Sequence, residues 1–168
     1  MTDKELNNYI VRFMEGDESA FDMIYEETKK SVYLSIRTII KEENTIEDLM
    51  QDTYMRAIRY LNMYKLGTNF KAWISRIAKN TTLNYLKVSN RQDIVDAGER
   101  PDVYGTTENE YFLDEATRSL DDSEKDIIVY RIILGLTFKE IGEILELPLG
   151  TIYWQYQRAI DKMKEDLK

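Results

Sequence analysis

The stretch Gly135-Leu136-Thr137-Phe138-Lys139-Glu140-Ile141-Gly142-Glu143-Ile144-Leu145-Glu146-Leu147-Pro148-Leu149-Gly150-Thr151-Ile152 decides the fold. Thr137 followed three places later by Glu140 is a capping box, which satisfies two otherwise orphaned amides and opens a helix. The apolar side of that helix is Phe138, Ile141, Ile144 and Leu145, at the three- and four-residue spacing of one helical face. Leu147-Pro148-Leu149-Gly150 stops it. Thr151 then reads as the cap of a second helix that carries Ile152, Tyr156, Ala159, Ile160, Met163 and Leu167 inward. Two helices joined by so short a turn form a helix-turn-helix, whose second helix fits a major groove about 12 Å wide. Gly142 leaves room for the two to cross closely. A plain helical hairpin shares the periodicity, but the capping box, the small residue, the turn and the second cap agree on the DNA-binding form.

The inward set leaves Tyr153, Trp154, Gln155, Gln157 and Arg158 on the outer face, with Thr151 at its start. Amides suit adenine, an aromatic ring suits a thymine methyl, and a guanidinium suits guanine or phosphate. Trp154 serves equally well as a packing contact to a partner protein or to neighbouring helices.

Upstream the same helical period recurs. Leu6, Ile10, Phe13 and Met14 form one stripe that ends at Gly16-Asp17. Phe21, Ile24, Tyr25, Val32, Ile36 and Ile39 form the next. Thr45, with Asp48 three places on, reads as the N-cap of a helix through Ile46, Leu49, Met50, Thr53, Tyr54, Ala57, Ile58 and Leu61. Asn62 to Asn69, with Gly67, reads as a loop, and Phe70 to about Lys87 as a further helix. With two prolines, seven glycines and no alternating pattern, the fold class expected is all-α.

From 88 to 112 the period collapses, and two basic residues face six acidic ones, so a flexible acidic linker is expected there. It separates a domain at 1–87, in which thirteen basic residues balance thirteen acidic ones, from one at 113–168, in which eight face twelve. The 168 residues suffice for two such small helical domains. With no Cys and no His, disulfides, thiolate or imidazole metal sites and His-based acid–base schemes are excluded. No glycine loop for phosphate and no nucleophile beside a base occur either, so no enzyme activity, no cofactor and no metal are expected. No leader pattern and no apolar run of membrane-spanning length are present, which points to the cytoplasm and against membrane insertion.

Two more clusters bear on binding. Phe70-Lys71-Ala72-Trp73-Ile74-Ser75-Arg76-Ile77-Ala78-Lys79-Asn80 interleaves aromatic and basic residues, as proteins that hold unstacked bases do. Phe70, Trp73 and Ile77 share one face, so Trp73 is expected in the core while Lys71, Arg76, Lys79 and Asn80 stay available. Glu47, Asp48, Gln51 and Asp52 lie off the apolar stripe of their helix and by themselves describe a solvated face.

These clusters, in this order, resemble the extracytoplasmic-function sigma factors of bacterial RNA polymerase. Residues 16–25 are similar to the family's GDxxAFxxLY pattern, 47–54 to EDLVQEVF, 70–80 to FRAWLYRIARN, and 135–152 to GLSYEEIA followed by LPVGTV. The resemblance implies that the N-terminal domain binds core RNA polymerase and opens the minus-ten element of promoter DNA. It implies that the C-terminal domain reads the minus-thirty-five element. By it, Glu47, Asp48, Gln51 and Asp52 contact polymerase; Tyr64, Lys65, Gly67, Thr68, Asn69, Arg76 and Asn80 contact minus-ten DNA; and Thr151, Tyr153, Trp154, Gln157 and Arg158 contact minus-thirty-five DNA. An anti-sigma factor is a further partner it suggests. Near Tyr153 and Gln155 the family carries Lys or Arg, and this chain lacks that charge, which weakens the expectation of tight upstream binding. An autonomous helix-turn-helix regulator and a helical protein-binding adaptor are the competing readings.

Overall fold

The computed structural model describes residues 1–92 and 108–168. It is all-helical: α1 (Asp3–Met14), α2 (Ala20–Arg37), α3 (Glu43–Arg59), a 3-10 turn (Leu61–Met63), α4 (Phe70–Gln92), α5 (Glu108–Ala116), α6 (Asp122–Ile128), α7 (Phe138–Leu145) and α8 (Leu149–Asp166). No strand occurs among the described residues.

Local chemistry sets the ends of these helices. Thr2 and Glu5 form a capping box at α1, and Gly16, at φ +100°, turns the chain into α2. Helix α3 starts earlier than its Thr45 reading. The Glu42 carboxylate accepts the amides of Asn44 at 3.1 Å and Thr45 at 2.7 Å, together with the Thr45 hydroxyl, so an ionised cap takes the place of a neutral one. Helix α4 runs to Gln92, five residues beyond the expected end at Lys87, and α5 begins at Glu108, inside the expected linker. What remains of that linker, 93–107 with Asp93, Asp96, Glu99 and Asp102, lies outside the described residues.

Helices α1 to α4 enclose one core of Leu6, Ile10, Ile24, Val32, Ile36, Ile46, Leu49, Phe70 and Ile74. Tyr54 joins it with its hydroxyl 2.8 Å from that of Thr28, and burial pushes its phenol above the ordinary value. A second core gathers Ile127, Tyr130, Leu136, Ile141, Ile144 and Ile152, and a small third one sets Leu120 and Ile128 against Ala159. Past Ile128 the helix widens to a π turn over Val129–Ile133, with the Leu134 amide donating to the Val129 carbonyl at 3.0 Å.

The helix-turn-helix forms as the spacing requires, with two adjustments. Thr137 and Glu140 cap α7 reciprocally, and Glu146, at φ 55°, closes its C-terminus. Pro148 cannot continue a helix and is preset to begin one, so α8 starts at Leu149; Thr151 lies within its first turn and is not its cap. A Cβ at Gly142 would meet the Leu147 carbonyl oxygen at 3.0 Å and Ile152 at 3.7 Å, which is the close crossing that the small residue permits. Leu167, expected inward, is exposed beyond the last turn that packs.

The two bodies are packed together. Ala72 of α4 belongs to the second core, and Lys79 of α4, expected to be available, is buried against Asp126 of α6.

Candidate nucleic-acid interface

Three surfaces stand out, two of them built around loops or helices of suitable chemistry for nucleic acid. The first is the loop that leads into α4. Tyr64 is 5% exposed, its ring edge-on to Phe70 at 5.0 Å and tilted against Trp73 at 5.3 Å. Its hydroxyl lies 2.6 Å from the Thr68 carbonyl and 3.0 Å from Oδ1 of Asn7. The sequence reading made Tyr64 a binding residue; it is instead the pillar of the loop, because its polar tip finds partners inside. Asn7 of α1, which sequence reasoning missed, accepts the Gly67 amide at 3.0 Å and donates to the Thr68 carbonyl at 3.2 Å. Gly67 at φ +83° allows the turn.

That scaffold leaves Lys65, Leu66, Gly67 and Thr68 on the surface. Asn69 is half-buried, its Oδ1 accepting the Ala72 amide at 3.2 Å as a cap for α4. Arg76 and Asn80 project from α4 and are exposed. Trp73 is half-buried in the core, as its spacing requires. Lys71 leans on Glu27 at 3.4 Å.

The second surface is the outer side of α8. Tyr153 and Trp154 are exposed by 51% and 60%, so neither is held by the core. Tyr153 rests on Phe138 at 4.6 Å. Gln157 is exposed and donates to Asp161 at 3.1 Å; Gln155 accepts from Ser123 at 2.6 Å and is half-buried. Arg158 stacks over Trp154 at 5.3 Å and reaches Glu124 at 3.2 Å. Lys162 reaches the same carboxylate at 2.7 Å. Glu124, fully buried and also the N3 member of the α6 capping box, was not foreseen. It neutralises two of the basic residues of α8, so the charge expected for phosphates is smaller than the sequence alone suggests.

The third surface is α3. Glu47, Asp48 and Gln51 are exposed, and Asp52 is half-exposed beside Arg56 at 3.1 Å. Next to this acidic rim runs a shallow apolar groove of about 580 Å³ floored by Phe21, Tyr25, Met50, Tyr54, Met55 and Ile58. Met55 is 64% exposed, an apolar residue off the core stripe and thus a signal the sequence did carry. Acid beside exposed apolar surface is poorly suited to the phosphates of a duplex and is the chemistry of an apolar docking surface. The described residues contain no cluster fit to hold a metal ion and no helix long and apolar enough to cross a membrane.

Comparison with known proteins gives these surfaces a context. A family model described as Sigma-70 region 2 matches residues 24–92, and one described as Sigma-70, region 4 matches residues 117–165. The ECF RNA polymerase sigma-E factor of Haemophilus influenzae is 27% identical, the alignment covering 100% of this chain and 96% of that protein. The ECF sigma factor SigW of Bacillus subtilis is 24% identical, with 95% of each chain covered. Among solved structures, the sigma factor RpoE from Bartonella quintana, in complex with the anti-sigma factor NepR, superposes with a TM-score of 0.70 at 22% identity over 88% of this chain and 96% of that one. CnrH, in complex with the cytosolic domain of CnrY, gives 0.71 at 19% identity over 96% of each; both likenesses speak for the fold. With regions 2 and 4 matched in order over most of its length, and full-length relatives of the same kind, the chain belongs to the sigma-70 family as an RNA polymerase sigma factor of the extracytoplasmic-function type.

Proposed function

We propose that residues 1–87 seat the factor on core polymerase and melt the minus-ten element, that 88–112 tether, and that 113–168 read the minus-thirty-five element. The factor works as a polymerase subunit with no catalysis of its own, and in the cytoplasm, where its template is. The observation that carries this reading is the loop at 65–69, held rigid by Tyr64 and Asn7 with its polar edge outward beside Arg76 and Asn80. A flipped base needs such a preformed edge. Unstacking it costs a few kcal/mol, which hydrogen bonds and stacking in one pocket offset without ATP.

On α3, Glu47, Asp48, Gln51 and Asp52 supply the charged rim of the polymerase contact, and Met55 and Ile58 its apolar floor. On α8, Thr151, Tyr153, Trp154 and Gln157 face the upstream element; Arg158 reaches it only by giving up Glu124. An acidic chain with so few free cations binds DNA weakly alone, so the polymerase supplies most of the phosphate contacts. The solved relatives RpoE and CnrH are found with NepR and CnrY, and a separate anti-sigma protein is the natural regulator here as well.

Run-off transcription with core enzyme and a promoter library is the direct test: transcripts from a restricted promoter set are expected, and none without the factor. A gel shift on the promoter in the absence of core enzyme should show nothing; a strong shift would favour an autonomous regulator. Trp154→Ala should alter preference at the upstream element while core binding and downstream melting stay as they were.

A further inference from the structure

Glu124 of α6 is fully buried, yet both of its cationic partners come from α8, the helix assigned to the upstream element. The two are held unequally. Oε2 accepts the Lys162 ammonium at 2.7 Å and the Asp121 amide at 3.0 Å, so the same oxygen serves the α6 capping box. Oε1 stands 3.2 Å from Nε of Arg158 but receives no hydrogen bond among the described residues. Charge alone holds Arg158 there. Its side chain is 46% exposed against 29% for that of Lys162, and its guanidinium lies over the exposed ring of Trp154.

A buried carboxylate that faces two cations can part with one of them. Were both to leave, a charge would be stranded in the interior, which is heavily penalised. If Arg158 alone leaves, Lys162 keeps Glu124 compensated and the capping box stays intact. The opposite choice is poorer, because Lys162 would give up a short hydrogen bond that Arg158 does not have. Arg158 also stands on the flank of α8 that leans on α6, to one side of the face of Tyr153 and Gln157. A helix seated in a groove turns such a flank toward sugar and phosphate rather than base edges. A guanidinium matches two phosphate oxygens as well as it matches a carboxylate.

We infer that Arg158 is an exchangeable cation: on the upstream element it passes from Glu124 to a phosphate, while Lys162 stays on the carboxylate and touches no DNA. Glu124 is then a positioning residue that withholds positive charge from duplex until the rest of α8 is seated. This rests on the assignment of α8 to the minus-thirty-five element. The exchange happens only where neighbouring contacts bring a phosphate within reach, so duplex met elsewhere finds the cation occupied.

The test is the salt dependence of DNA binding by holoenzyme assembled from the full-length factor and core enzyme. Each phosphate neutralised contributes about 0.9 to the slope of log affinity against log salt. On the promoter, Arg158→Met should make that slope shallower by about 0.9 and weaken binding about tenfold at low salt. Lys162→Met should do the same, although Lys162 reaches no phosphate, because Arg158 must then remain with Glu124. Lys162→Arg returns a cation to the carboxylate and should restore the wild-type slope. Glu124→Gln still completes the capping box but releases Arg158. Its binding to a duplex of random sequence should rise about tenfold, with a slope steeper by about 0.9 to 1.8.

An unchanged slope in Arg158→Met overturns the inference. So does a wild-type slope in Lys162→Met, or a Glu124→Gln variant that binds random duplex no better than the wild type. A damaged fold cannot imitate the set, since it would lower affinity throughout, whereas the exchange requires a gain in Glu124→Gln. If Lys162→Met loses its helical circular dichroism, Arg158→Met and Glu124→Gln decide the matter. Trp154→Ala, measured alongside, separates the two levels. Where it alters upstream preference and the slopes stay put, only the exchange falls; where it alters nothing, the assignment of α8 falls and takes the exchange with it.

Discussion

The two bodies of this sigma factor solve the same problem with different resources. The N-terminal one has balanced charge and four helices around a continuous core, so its surface is free to carry an acidic rim, an apolar groove and a rigid loop. The C-terminal one has a surplus of acid and shorter helices, and it uses Glu124 to tie α6 to α8 by way of Arg158 and Lys162. The cations that hold the second body together are the ones a DNA reader would turn outward. The contrast teaches that in α8 two of the basic residues, Arg158 and Lys162, are tied to the fold through Glu124. On the proposed assignment, sequence-specific grip rests on the aromatic and amide groups of α8 and on the loop of the other body.

The sharpest test of that division is Asp48→Lys. The residue is exposed and holds nothing in the fold, so circular dichroism should be unchanged while binding to core polymerase is lost in a pull-down. Retained binding would remove α3 from the polymerase contact. Next in size is Glu124→Ala, which deletes a fully buried carboxylate, two ion pairs and half of a capping box. It should cost the C-terminal body about 3 kcal/mol in a denaturant melt and leave the N-terminal body alone. A loss shared equally by both would mean that they unfold as one unit.

Smaller effects probe the helix-turn-helix itself. Gly142→Ala gains helix propensity but drives a methyl onto a backbone oxygen at 3.0 Å, and a net loss of about 1 to 2 kcal/mol is expected. A gain in thermal midpoint would show that the helices can move apart freely. Glu146→Gly relieves a left-handed conformation at a non-glycine residue and should stabilise the C-terminal body by about 0.5 to 1 kcal/mol. It also removes the partner of Arg76, so a smaller gain than this would measure what that exposed pair contributes.

Periodicity and caps made most of the fold legible in the sequence. Thr137 and Glu140 cap α7 as their spacing requires, and most of the apolar stripes of α1 to α4 point inward, Met14, Tyr25 and Ile58 being the exposed exceptions. Misreadings occurred where a side chain's fate depends on a distant partner. Tyr64 is buried because Asn7 lies 57 residues away to receive its hydroxyl. Lys79 is buried because Asp126, 47 residues on, compensates its charge. Gln155 faces Ser123, and Arg158 turns to Glu124, for the same reason. Local pattern says which face a residue occupies; it is silent on what the rest of the chain brings to that face. Met55 is different, since it lies off the core stripe and is visible by spacing alone, whereas Ile58 reads with the stripe and is exposed by 43%.

Asn7 belongs to a helix that precedes residues 24–92, the segment matched to region 2, yet it fixes the geometry of a turn inside that segment. The amino-terminal helix is therefore a tuning handle. If the turn contacts the promoter as proposed, a single change at that position would slacken it and retune promoter choice while every side chain proposed to touch nucleic acid stayed the same. Divergence among such factors can be written into residues that no footprint would reveal.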